Sequence, residues 1–129
     1  MYEWQSHTGE AQLHVVADSA EQVFAEAAEA FGRLVELDAG GTQAVREISA
    51  EAAGRGSLLV ELLGELIFLA ETEGFVPERA EIRLTGDRLD ARLEGRLTRV
   101  DPLVKAATYH GLRFDHDGEV WDARVVLDV

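Results

Sequence analysis

Apolar and polar positions divide the chain into segments with two different periods. Glu10–Ala17 (EAQLHVVA) is a short apolar-rich run with Leu13 and Val15 on one face, which predicts a strand. Asp18 and Ser19 follow. Ser19 with Gln22 three residues on makes a capping-box pattern, in which the hydroxyl accepts from a free amide and Gln22 reaches back. The period then lengthens. Val23, Phe24, Ala27, Ala28, Phe31, Leu34 and Val35 recur at helical spacing and predict a helix from about Ala20 to about Leu37, ended by Gly40-Gly41. Gln43–Ala53 predicts a strand, although its alanines and glutamates also tolerate helix. Gly54-Arg55-Gly56 is a turn, and Ser57 is read as the N-cap of a second helix over Leu58–Glu73. Leu59, Leu62, Leu63, Leu66 and Leu69 line one broad face of that helix, and Gly74 stops it.

The remainder is strand-rich. Ala80–Thr85 and Leu89–Gly95 flank Gly86-Asp87. Val104–Tyr109, Leu112–His116 and Val120–Asp128 follow, with Gly111 opening one turn and His116-Asp117-Gly118 forming a hairpin turn. Pro77 and Pro102 are placed in connections. Strand, helix, strand, helix and then a run of strands indicates an α+β fold. The expectation is a mixed, mainly antiparallel sheet packed against two helices, in a single compact domain over residues 1–129.

Composition narrows the chemistry. The absence of cysteine removes disulfides, thiolate metal sites and cysteine nucleophiles, and fits a reducing compartment. Acidic residues number 25 against 12 basic, a formal net charge of −13. Such a surface repels phosphate backbones, so no direct nucleic-acid binding is expected, and any role in RNA biology would run through a protein partner. Leu58–Ala70 is the longest apolar-rich stretch, but Glu61, Gly64 and Glu65 interrupt it and it is too short to span a bilayer. Met1–Gln5 shows no signal-peptide pattern, so a soluble cytoplasmic protein with no membrane role is expected.

No catalytic signature stands out, and His7, His14, His110 and His116 show no metal-ligand spacing. By itself His7-Thr8-Gly9-Glu10 is a polar turn with a solvated carboxylate. In Lys105–His110 (KAATYH), Tyr109 reads as core packing with a wet hydroxyl, His110 as a surface histidine and Lys105 as an edge gatekeeper. Glu65 reads as an exposed helix residue. Ala123–Val129 runs as a strand to the last residue, setting the Asp128 carboxylate beside the α-carboxylate of Val129. Adjacent anions repel unless a cation meets them, and a hard divalent ion takes such oxygens. The plain alternative is a paired strand with its end groups in water.

Four segments in order carry a more specific signal. They are Tyr2-Glu3-Trp4 leading to His7-Thr8-Gly9-Glu10, Leu59–Leu69 (LVELLGELIFL), Val104–Leu112 (VKAATYHGL) and Ala123–Val129 (ARVVLDV). Together they resemble the archease family over nearly the whole chain. The resemblance implies a compact α+β fold and a non-catalytic activator of an RtcB-type RNA ligase in tRNA splicing and RNA repair. It implies promotion of the ligase's guanylylation and of multiple turnover. By motif it puts a metal site on Glu10 and Asp128, with Val129 offering its oxygens. The implied ion is calcium in isolated protein, with magnesium or manganese in function. His7, Lys105, Tyr109, His110 and Glu65 become candidates for shaping the site or meeting the ligase. The family usually reads His-Thr-Ala-Asp in the first motif; Glu10 keeps the carboxylate and adds a methylene, and Gly9 gives the turn freedom. Gly64 stands where the family commonly has an amide residue. Two further readings remain: a stand-alone metal-dependent hydrolase using Glu10, His110 and Asp128, and a chaperone-like interaction module without metal. No recognisable nucleophile–base pair supports the hydrolase.

Overall fold

The computed structural model describes residues 1–129. In order it contains β1 (Tyr2–His7), β2 (Glu10–Ala17), α1 (Ala20–Val35), β3 (Thr42–Glu51), α2 (Arg55–Glu73), β4 (Phe75–Thr85), β5 (Arg88–Leu97), β6 (Ala106–Asp117) and β7 (Val120–Asp128). The α+β class with two helices is as expected. The strands part into two sheets rather than one, ordered β1-β2-β7-β6 and β3-β5-β4, and every pairing is antiparallel.

Period-two burial explains the first sheet. Ala11, Leu13, Val15 and Ala17 of β2 are buried, and three of them lie opposite Leu127, Val125 and Ala123 of β7. The helices close over these rows. Ser19 caps α1, its hydroxyl accepting from the Gln22 amide at 3.1 Å. One cluster of 29 buried residues draws on both helices and both sheets. The leucines and phenylalanines fully buried there each contribute roughly 1.5–3 kcal/mol. Glycine sets how closely α1 approaches β4: a Cβ at Gly32 would collide with the Pro77 carbonyl oxygen.

Several local expectations are corrected. Residues 2–7 form β1, because Tyr2 and Trp4 turn inward while Glu3 and Gln5 stay out. Helix α1 ends at Val35 with an extended Glu36 cap, and Gly40-Gly41 belong to the following loop. Gly54, not Ser57, occupies the N-cap of α2, and no side chain caps it. Pro77 lies inside β4, where the register shifts between Pro77 and Arg79; a residue without an amide proton is tolerated at such an irregularity. Gly111 does not divide two strands. It takes φ 66° within a continuous β6, whose pairing with β7 is irregular between Thr108 and Arg113. Val104 precedes that strand, and the β6–β7 turn falls on Gly118-Glu119.

Arg96, 8% exposed, is the buried charge of the fold. Its guanidinium donates to the carbonyls of Asp38 (2.5 Å) and Gly40 (2.7 Å), to Glu36 Oε2 (2.5 Å) and to Glu78 Oε2 (3.3 Å). It thereby clips the α1–β3 connection onto β5. On the solvent face of the same sheet, Asp90 accepts from Ser49 Oγ at 2.6 Å and from Arg88 Nη2 at 3.0 Å. The Arg88 hydrogen bond, then that of Ser49, holds the Asp90 carboxyl down at about 2.

Arg96→Met should destabilise the fold by about 3 kcal/mol in urea denaturation, because it strands Glu36 and two carbonyls. Asp90 is depressed in the folded state, so its contribution is present above the unfolded carboxyl value of 3.8 and is lost as pH falls toward 2. Carbon-detected NMR titration should find its midpoint near 2. In Arg88→Ala it should move up but stay below 3.8, because the Ser49 hydrogen bond remains.

Candidate functional site

Thr8-Gly9 is a two-residue hairpin turn between β1 and β2, and Gly9 supplies the positive φ of 75°. The turn sets His7 opposite Glu10. On its other side Glu10 lies opposite Asp128, which in turn lies opposite Ala106. His7, Glu10, Asp128 and Ala106 therefore form one row across all four strands. The neighbouring row, Ala11 and Leu127, is buried, so this row falls on the outer face.

Main-chain bonds lock the corner. The Val129 amide donates to the Gly9 carbonyl at 3.1 Å, and the Lys105 amide donates to the Asp128 carbonyl at 2.8 Å. Glu10 is half-buried; His7, Lys105 and Asp128 are exposed. None of Glu10, Asp128 and Lys105 takes part in an ion pair.

Directly opposite residues of an antiparallel pair have Cβ atoms about 4.5–5.5 Å apart, so both carboxylates can reach one cation. All the donors are hard oxygens, which suits calcium, magnesium or manganese. No three His, Asp or Glu side chains converge on a common point. Glu10, Asp128 and the Val129 oxygens would thus be a partial ligand set. Calcium takes about six to eight oxygens, leaving the remainder to water or a partner.

The other expected residues lie elsewhere. Tyr109 and His110 sit in the irregular stretch of β6. Tyr109 is 58% exposed, so its local reading as core packing is corrected; it lies where β6 has left regular pairing. His110 lies beyond Thr108, the last β6 residue in regular register with β7 on the Asp128 side. Glu65 is exposed on α2. Sequence reasoning missed two groups. Thr108 Oγ1 and Trp4 Nε1 are buried without hydrogen-bond partners, and only pairing and packing, not residue type, reveal them.

The family model described as "Archease protein family (MTH1598/TM1083)" matches residues 2–129. The chain belongs to the archease family. The archease of Pyrococcus abyssi is 30% identical over 142 aligned residues, covering 99% of this chain and 98% of that one. The solution structure of Methanobacterium thermoautotrophicum protein 1598 is 26% identical, with a TM-score of 0.68 and coverage of 99% and 98%. The crystal structure of a Thermotoga maritima archease, described as a possible chaperone, shares the fold with a TM-score of 0.69 at 23% identity, covering 100% and 98%. The archease names denote no catalysed reaction. No helix of this archease is long and apolar enough to cross a membrane.

Two like charges directly opposite across a strand pair are destabilising by roughly 0.2–1 kcal/mol. Glu10→Gln should therefore stabilise the metal-free archease by about that amount. It should also remove any rise in melting temperature on adding calcium, since a ligand stabilises only the state that binds it. Scanning calorimetry with chelator and with calcium checks both. An undiminished calcium response in Glu10→Gln would exclude the Glu10 carboxylate as a ligand.

Proposed function

We propose that this archease activates an RtcB-type RNA ligase, promoting its guanylylation and multiple turnover through a divalent cation held by Glu10, Asp128 and the Val129 oxygens. The pairing of Glu10 with Asp128, without a cationic side chain to neutralise either, carries the reading. Family membership and the net charge of −13 support a role exerted on a protein rather than on RNA directly.

Glu10 and Asp128 would hold the ion, and the hydrogen bonds from the Val129 and Lys105 amides fix the strand ends that carry them. A bound divalent ion would supply charge neutralisation for the phosphates of nucleotide transfer. His7 borders Glu10 in the same row, close enough to tune its orientation. Lys105 borders the same corner through its amide. Tyr109, His110 and Glu65 are exposed and available to the ligase surface. A metal-free, chaperone-like module is the second reading, favoured by the description of the Thermotoga maritima relative as a possible chaperone. A stand-alone hydrolase is disfavoured because no three His, Asp or Glu side chains gather into one metal-holding group.

Multiple-turnover RNA ligation by the cognate ligase should accelerate when the wild-type chain is added. Asp128→Ala should lower calcium affinity at least tenfold by calorimetry and return turnover toward that of the ligase alone. Unchanged turnover and unchanged guanylylation with wild type would falsify the activator reading. Acceleration without any metal binding would favour the metal-free module.

A further inference from the structure

We infer that the cleft between the C-terminal part of α1, α2 and the connection over residues 98–105 anchors an apolar side chain flanked by Lys or Arg on the partner ligase. The inference rests on the activator reading and concerns a different face of the molecule from the metal corner. The cleft is a cavity of about 270 Å³ with Phe31, Val35, Ile67 and Val104 in its floor and the carboxylates of Glu71 and Asp101 at its rim. That volume is below the roughly 300–1,000 Å³ of sites for drug-sized ligands, and suits the single anchor residue around which protein interfaces concentrate their binding free energy.

Two further observations mark this face as one that meets a protein. Phe68, adjacent to Ile67 and one helical turn before Glu71, is 57% exposed. Leu103, adjacent to Val104, is 38% exposed. Each is next in the chain to a residue that lines the cleft, so the two elements that form it each carry an exposed large apolar side chain. Gly64 lies one turn before Phe68, and a Cβ built there meets nothing within 4 Å, so this side of α2 is unobstructed.

Charge selects the occupant. Neither Glu71 nor Asp101 takes part in an ion pair, and the whole chain is strongly acidic. Cationic residues flanking the anchor complement that rim, while a second copy of this acidic chain or an anionic lipid surface is repelled. The cleft is joined to the metal corner through the backbone. Val104 lies in its floor, and the amide of the next residue, Lys105, donates to the Asp128 carbonyl.

Binding of the full chain to the cognate ligase, measured by biolayer interferometry, tests this. Phe68→Ala and the double variant Glu71→Lys/Asp101→Lys should each lose at least tenfold in affinity. Phe68 and Glu71 are exposed and Asp101 is half-buried, so melting temperature should hold in Phe68→Ala and in the single variant Glu71→Lys, and calcium affinity by calorimetry should stay within twofold of wild type. Added salt should weaken the wild type more than the double variant. Variants that bind and activate like wild type overturn the cleft alone. A wild type that neither binds nor activates the ligase overturns the activator reading and this occupant with it. Concentration-dependent self-association lost in Phe68→Ala would assign the cleft to a second copy and overturn the ligase as occupant.

Discussion

The pairing of β2 with β7 is the constraint on which the candidate site depends. It joins the second strand to the last one, and its register is fixed by burial: Ala11, Leu13 and Val15 face Leu127, Val125 and Ala123 in the core. Side chains alternate between faces, so a slip of β2 by one residue against β7 would drive Glu10 inward and expose Ala11, Leu13 and Val15. The hydrophobic effect thus holds two carboxylates opposite each other although their mutual repulsion opposes it. The apolar residues of that row fix the register, and a repulsion of roughly 0.2–1 kcal/mol cannot shift it.

The molecule deals with its acidity differently in different places. Glu36 and Glu78 share the buried guanidinium of Arg96, and Asp90 is held ionised by Arg88 and Ser49. These carboxylates are satisfied within the chain and serve the fold. Glu10, Asp128, Glu71 and Asp101 take part in no such ion pair. The first two share a row at the strand ends, and the other two rim an apolar cleft whose floor runs into the residue preceding Lys105. Most of the acidic residues share that lack of an internal cation, so it is position, at paired strand ends and at the mouth of a cleft, that sets these four apart.

Glycine and proline mark where backbone geometry overrides local pattern. Gly32 lets α1 lie close on β4 at Pro77, and Pro77 is accommodated because the ladder is already irregular there. Gly111, placed as a turn by its neighbours, instead bends a continuous edge strand and leaves Tyr109 and His110 exposed along it. A glycine's permissiveness is visible in a sequence; whether it becomes a turn, a bulge or a close contact depends on what packs against it.

Both helices, most strands and the α+β class were legible because each follows from a period that a local stretch of chain shows by itself. The four ordered motifs also carried the family. The first strand was missed because its edge position leaves only Tyr2 and Trp4 as inward residues. The sequence by itself determined the acidic surface, the apolar faces and the presence of carboxylates beside two strand ends. Only the tertiary structure decided that Glu10 and Asp128 are cross-strand neighbours in a row with His7, that the strands part into two sheets, and that Tyr109 and His110 fall in an irregular stretch of an edge strand. Periodicity is local and can be read one segment at a time, whereas register and sheet order are settled by which faces bury one another across more than a hundred residues of chain.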